Sequence, residues 1–418
     1  MKFELFIARR LRLKSGKSTG KRSPSVTIAV AGIALAIVIM MIAIVVVLGF
    51  KHEIRDKVMG FDAQINIMPA SVYSNSDNRF IVYNDTLRDL ISSTLPQNAE
   101  ISLSIKQPGI LKTDSDFMGV ILKGMDNGYN WKFVSDNLAE GKIPDYSCDE
   151  NKNSIIISRI MSASLGLDVG DRIYAYFFND NNIRTRRFEI AGIYESHFGE
   201  YDRITAFAPI EALQKISRLQ SDMGSSIEIR GLNPDKIMDN CIALQENIAE
   251  ACYRQGLSQM YQIDNVYHTG ALYFNWLDLL DTNVVVILIL MAFVSGFTLV
   301  SSMFIIILER INMIGVLKSL GASNAQIRRI FIMLTERLVL KGMLFGNIIA
   351  LSLIFIQSKF HILPLDPEAY YLNYVPVEIN WWHIVALNVG VIIISALILV
   401  LPSHLVSTIS PAKTIRYE

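Results

Sequence analysis

The amino-acid sequence predicts an α-helical membrane domain of four transmembrane helices, with a large α+β extracytoplasmic domain between the first helix and the second. Three observations lead there. Long apolar runs recur four times, the stretch between the first two runs alternates in strand-length and helix-length patterns, and charge is sorted between the connecting segments. Of 418 residues, 51% are hydrophobic and 19% charged, a balance between a soluble protein and a wholly embedded one, so the apolar residues must be gathered into spans.

Residues 1–25 form a basic segment with eight Lys or Arg against one acid, Glu4. Within it, "KSGKSTG" (14–20) contains the Gly-Lys-Ser of a phosphate-cradling loop. That loop needs another Gly five positions earlier, between a strand and a helix, so that backbone N–H groups can curl around phosphate; here Leu11 stands at the position and the strand is missing. The stretch reads as a basic flank. Residues 26–50 carry no charge, and at about 1.5 Å per residue they exceed a hydrocarbon core of roughly 30 Å. Their length, and the "FKHEIRD" that follows in place of a small-residue cleavage site, indicate an uncleaved transmembrane helix.

The second span, 282–308, stops abruptly at Glu309-Arg310. The third covers 331–357, its apolar stretch from 338 to 356 interrupted only by Lys341, and the fourth covers 381–402. An even number of spans puts both termini on one side. The basic N-terminal segment, the 309–330 link with Arg310, Lys318, Arg328 and Arg329, and the 403–418 tail with Lys413 and Arg416 are then cytoplasmic by the positive-inside rule. The outer segments, 51–281 and 358–380, hold 23 of the 39 basic residues but 35 of the 39 acidic ones, so overall neutrality conceals a basic inside and an acidic outside.

In the 51–281 domain, strand-like runs recur at "AQINIMP", "GVILKGM", "NSIIISR", "RIYAYFF", "RRFEIAGIYE", "RITAFAPI" and "SSIEIRGL", with helical stretches at "SRIMSASLGL" and "IEALQKISRL". "RIYAYFF" and "RRFEIAGIYE" read as a hairpin around an Asn/Asp-rich turn, which makes Phe178, Asn179, Asp180, Asn181, Asn182, Ile183 and Arg184 a candidate contact tip. Cys148, Cys241 and Cys252 are an odd set, and the last two fall on one amphipathic helix about 16 Å apart, too far for a disulfide. The six histidines are scattered without zinc-binding spacing, and no nucleophile elbow occurs. His197, in "ESHFGEYD", has acids nearby but no partner set for catalysis. The sequence therefore predicts no catalytic residue and no metal site, and the outer domain reads as a binding domain.

The 309–330 link is the most informative segment. Met313, Val316, Leu317 and Leu320 follow the i, i+3, i+4, i+7 pattern of a short helix with one apolar face. Gly321 is placed to end it, and Ser323 with Gln326 has the spacing of a capping box that opens the next helix. Such a helix suits either the lipid interface or a socket in a cytoplasmic partner.

"LERINMIGVLKSLGASNAQIRRIFIMLTE" resembles the segment joining the second and third spans in the FtsX/MacB superfamily of ABC-transporter permeases. "FIARRL", "GFKHEIRDKVMGFDAQINI", "SASLGLDVGDRI" and "SPAKTIRYE" match in the same order, so the likeness covers nearly the whole chain. The first-span exit and "EIAGIYESHFGEYDRITAFAPIEALQKI" are most similar to the lipoprotein-releasing permeases of the LolC and LolE type.

The resemblance implies a non-catalytic permease subunit in a bacterial inner membrane, with a periplasmic outer domain. It implies a cytoplasmic ABC ATPase dimer and a second permease subunit, identical or related. ATP and Mg would be held by the ATPase and not by this chain. Glu309, Arg310, Met313, Ile314, Val316, Leu317, Lys318, Leu320, Gly321 and Ala322 would form the ATPase-coupling segment. The substrate would be a lipoprotein passed to a periplasmic chaperone, with Met40, Met41, Ile44, Val47 and Met303 lining a lipid path and membrane lipids around it; nucleic acid has no place. The hairpin tip departs from the chaperone-hooking type in being short, polar and free of proline. The same superfamily holds two alternatives, a mechanical transmitter that activates a cell-wall hydrolase and an efflux permease. A two-part outer domain is larger than the smallest hydrolase activators carry, and the fused efflux type bears its own ATPase.

Overall fold

The computed structural model describes residues 24–70, 80–126, 128–179, 182–255 and 260–404. The "KSGKSTG" flank, the "SPAKTIRYE" tail and the hairpin residues Asp180 and Asn181 lie outside them. Two compact units result. One comprises Trp276–Pro364, the chain up to His52 and the chain from Tyr374 onward; the other comprises Glu53–Asn275 and Leu365–Asn373.

The first helix, α1, runs from Pro24 to Phe61 and contributes to both units. After it come β1 (Ile65–Pro69), β2 (Ile81–Val82), α2 (Asp85–Thr94), β3 (Glu100–Lys112), β4 (Phe117–Met125), α3 (Lys132–Asp136) and β5 (Leu138–Gly141). Then follow β6 (Ser154–Ser158), α4 (Arg159–Leu165), β7 (Arg172–Asn179), β8 (Asn182–Tyr194), α5 (Gly199–Ile204), β9 (Thr205–Pro209) and α6 (Ile210–Ser217). Next come β10 (Met223–Gly224), β11 (Ser226–Arg230), α7 (Ile237–Gln255), β12 (Tyr261–Asn265) and α8 (Val266–Thr269). The remaining helices are α9 (Ala271–Glu309), α10 (Ile311–Ser319), α11 (Asn324–Phe360), α12 (Pro367–Tyr370) and α13 (Trp381–Ser403).

In the sheet unit, ten strands pair in the order β12-β1-β11-β3-β4-β9-β6-β8-β5, and β7 joins β3 to β8. The pairs β3–β4, β4–β9, β9–β6, β6–β8, β8–β7 and β7–β3 thus form a closed ring, which leaves no free edge among those strands. Strand alternation sends Leu111, Leu122, Ile156, Phe177, Phe188, Ile190 and Phe207 into its core, each at most 1% exposed. The element "RITAFAPI" divides: Arg203 and Ile204 belong to α5, and the strand starts at Thr205. The thirteen-residue β3 has no counterpart among the strands predicted from sequence.

Four helices are long and apolar enough to cross a membrane: α1, α9, α11 and α13. In the helical unit α1 packs against the other three, with Ile33, Ile37 and Met40 buried beside Met303, Leu338, Met343 and Leu399. Glycines let the backbones approach. A Cβ on Gly342 would sit 2.8 Å from Ile33 Cβ, and one on Gly346 would sit 2.9 Å from the Ala34 carbonyl oxygen, so α11 meets α1 through a G-x-x-x-G pair. Asn347 and Asn388 exchange side-chain hydrogen bonds of 2.7 and 3.1 Å between α11 and α13, which satisfies two amides where lipid offers no partner.

Candidate functional site

The joint between α9 and α11 is built by local chemistry that the spacing anticipates. Ala322 donates its N–H to the Leu317 carbonyl and Gly321 to that of Lys318, each at 3.0 Å, with Gly321 at φ 88°. This double bond pattern closes α10, and it needs a left-handed residue that Gly supplies without a Cβ clash. Ser323 Oγ then accepts from the Gln326 N–H at 3.3 Å while Gln326 Oε1 accepts from the Ser323 N–H at 2.9 Å, a reciprocal capping box that starts α11.

The facing of α10 differs from the predicted stripe. Ile314 is fully buried against Ile327 and Phe331, with Met313, Leu317 and Ala322 half-buried beside it. Val316 and Leu320 instead point outward, 51% and 78% exposed, alongside exposed Glu309, Asn312 and Gly321. The buried face is thus rotated from the predicted stripe toward Ile314 and Gly315, both buried. Arg310 and Lys318, each already engaged in an interaction, are half-buried. An outward apolar pair on a helix between two charged flanks can accept a partner surface.

In the bundle, the five residues predicted for a lipid path separate. Met40 lines a cavity of about 150 Å³ together with Leu288, Gly296, Gly390, Ile394 and Ser395, from α9 and α13. Met41 is fully buried against Ala350, Ile354 and Ile384, and Met303 is fully buried in the main helix core. Ile44 and Val47 are half-buried. Glu336 on α11 accepts from Ser395 Oγ at 3.0 Å, so its carboxylate turns toward the helix contact and not outward.

The hairpin tip is more strand-like and more apolar than predicted. β7 and β8 stay paired out to Phe178↔Ile183 and Asn179↔Asn182. Phe178 and Ile183 lie directly opposite each other, 59% and 64% exposed, and Tyr174, on the same face, is 48% exposed. Arg184 donates to the Ile216 carbonyl and Arg186 to that of Ala212, which fastens the hairpin to α6.

Sequence reasoning missed two polar constructions in the sheet unit. At the C-terminal end of α1, Lys123 Nζ donates to the Phe61 carbonyl at 2.6 Å and lies 2.9 Å from Glu228. Arg230 donates to the Met59 and Gly60 carbonyls and pairs with Glu228 at 3.0 Å. These cations meet the last, otherwise orphaned carbonyls of the helix. Burial pushes the Glu228 carboxyl up, but Lys123, Arg230 and Lys106 more than offset this and hold it well below the usual carboxylate range. Asp62 receives Lys106 Nζ at 2.9 Å and the Tyr201 hydroxyl at 2.5 Å. A lysine in the apolar run "GVILKGM" and a Glu-x-Arg in "SSIEIRGL" are the sequence signal for this cluster.

One turn earlier on α1, Lys57 Nζ donates to the carbonyls of Ser196 and Tyr371, at 2.6 and 2.8 Å. Tyr371 packs edge-on to Phe198 and Tyr273, with centroids 4.9 and 5.9 Å away. The loop segment Leu365–Asn373 is thereby fastened within the sheet unit. Burial pushes the Lys57 ammonium down to about 8, against the pull of Glu53 and Asp202. Burial also raises Asp202 to about 6, although Ser196 Oγ donates to it at 2.6 Å. His197 sits in this turn at φ 58°, 3.6 Å from Glu195, with burial lowering its pKa. Cys148, Cys241 and Cys252 form no disulfide among the described residues. Among the described residues no group of three or more His, Cys, Asp or Glu is arranged to hold a metal ion.

Four membrane-length helices, with an α+β domain inserted after the first and a capped short helix between the second and third, define a multi-pass permease. The family model for the MacB-like periplasmic core domain matches residues 26–240, and that for the FtsX-like permease C-terminal matches 285–411. The chain belongs to this family of permeases with a MacB-like periplasmic core and an FtsX-like membrane module. Among curated relatives it is 22% identical to "Lipoprotein-releasing system transmembrane protein LolC" of Xylella fastidiosa, over 93% of both chains. It is 21% identical to "Lipoprotein-releasing system transmembrane protein LolE" of Haemophilus influenzae, over 88% of both. The solved periplasmic region of MacB from Actinobacillus actinomycetemcomitans aligns with 53% of this chain and 96% of its own, at 13% identity and a TM-score of 0.35.

Proposed function

We propose that this chain is the permease subunit of an ATP-driven transporter that extracts lipoproteins from the bacterial inner membrane and hands them to a periplasmic carrier. The observation that carries the reading is the near full-length, collinear likeness to lipoprotein-releasing transmembrane proteins. The chemistry demands such a machine, because each acyl CH₂ moved into water costs about 0.8 kcal/mol. Both termini and α10 lie in the cytoplasm, and the sheet unit lies in the periplasm. Val316 and Leu320 dock in a cytoplasmic ABC ATPase dimer, which holds ATP and Mg. A second permease subunit completes the membrane part, and the Phe178–Ile183 tip supplies an apolar contact for the carrier.

Gentle purification followed by identification of what accompanies the chain tests this. An ABC ATPase and an acylated protein are expected; a cell-wall hydrolase in place of the acylated protein overturns the substrate assignment in favour of the mechanical transmitter. Val316→Asp with Leu320→Asp is expected to abolish ATPase association while membrane insertion stays intact. Unchanged association refutes the docking role of α10. These two positions are the cleaner probes, since Leu317 packs inward and its loss would disturb the bundle itself.

A further inference from the structure

Charged side chains inside a span normally face the bundle interior or a partner group. Lys341 does neither: it is exposed on α11, beside Leu340, Leu344, Phe345 and Ile348, which are 50%, 60%, 49% and 54% exposed. Its depth follows from its neighbour. Gly342 abuts Ile33, and Ile33 lies seven residues into the apolar run of α1 that begins at Val26, which is about 10 Å along a helix. An ammonium there must turn along its own stem toward the nearer membrane surface, at the α10 end of the bundle.

Among the described residues no anion takes it. Glu336, the nearest acid along α11, is committed to Ser395, and among the described residues Lys341 forms no ion pair. Arg337, one turn closer to the surface, is itself engaged. We infer that Lys341 and the apolar face above it form a binding site for one anionic phospholipid of the leaflet at the α10 end. The ammonium takes the phosphate, and Leu344, Phe345 and Ile348 lie along an acyl chain. Charge complementarity selects this occupant: the face is apolar except for one cation, and such a leaflet supplies an anion at the depth where that cation emerges.

The test uses the full chain in mild detergent, stripped of lipid and titrated with phosphatidylglycerol or phosphatidylcholine under native mass spectrometry. Wild type is expected to retain phosphatidylglycerol about fivefold over phosphatidylcholine, the preference one lysine near a membrane surface supplies. Lys341→Leu is expected to bring the ratio to about one, and Lys341→Arg to keep it. Leu suits a lipid-facing position, and an unchanged melting temperature verifies that the variant folds. A preference that survives Lys341→Leu overturns the proposal. So does efficient disulfide cross-linking of a Lys341→Cys variant to a second permease subunit, which would make the face a protein interface.

Discussion

Replacing Glu228 by Gln tests whether the buried ion cluster holds the end of α1. Glu228 is fully buried and Lys123 is 2% exposed, and the carboxylate lies 2.9 Å from Lys123 and 3.0 Å from Arg230. It also accepts from Ser104 Oγ at 3.1 Å. The neutral amide keeps the volume and the Ser104 bond but leaves two buried cations without their anion, which costs about 3–5 kcal/mol. Lys123→Met is milder, since Arg230 still faces Glu228; about 2–3 kcal/mol is expected, mostly from the carbonyl of Phe61 and the weakened ion pair. The double variant should cost less than the sum, with a coupling of about 1–3 kcal/mol. Thermal unfolding of the four purified proteins in one detergent gives the cycle. If both single variants melt within about 1 kcal/mol of wild type, the cluster does not hold α1 and the reasoning fails. Glu228 also sets a pH window: its folded pKa is depressed, so its contribution is complete above the unfolded carboxylate range and is lost as pH falls through and below that range.

Asp202 acts in the opposite sense. Its pKa is raised to about 6 from 3.8, so this group's contribution to stability rises as pH falls from 6 toward 3.8, by up to about 3 kcal/mol; Asp202→Asn should flatten that rise in pH-dependent melting curves. Gly342→Leu forces a side chain into Ile33 and should destabilise by about 1–3 kcal/mol, whereas a Cβ on Gly390 meets nothing within 4 Å, so Gly390→Ala should be near neutral in the same melting assay. Ser323→Ala removes one half of the capping box and should cost about 1 kcal/mol, with the loss read as faster amide exchange in the first turn of α11.

The spans were legible because lipid demands long uncharged runs, and the break between α10 and α11 was legible because a left-handed Gly and a Ser-x-x-Gln spacing act locally. The facing of α10 was not. Met313, Ile314, Val316, Leu317 and Leu320 cover almost half of the helix circumference, about 160°, so only packing against Ile327 and Phe331 decides which of them turn in. β3 escaped notice because "SLSIKQP" is polar and carries Pro108, yet Pro108 pairs with Ile121 inside the sheet. The hairpin tip seemed polar in composition because Asn and Asp dominate it; register places Phe178 opposite Ile183 and gives it an apolar end. The G-x-x-x-G of α11 was visible in sequence and is the signal that would have located the α1 contact.

The least legible feature is the set of contacts at the end of α1. α1 is a single helix of 38 residues with no interior proline, and at about 1.5 Å per residue it is roughly 57 Å long. Its last turns, from Glu53 on, belong to the sheet unit. At that far end the rod is not free. Lys123 and Arg230 grip its last three carbonyls, and Lys57 one turn back holds the loop that links α11 to α13. These contacts tie the end of α1 to β4, β11 and Tyr371 within the sheet unit. Groups separated by up to 314 positions meet there, Lys57 with Tyr371, which is why periodicity along the chain could not reveal them.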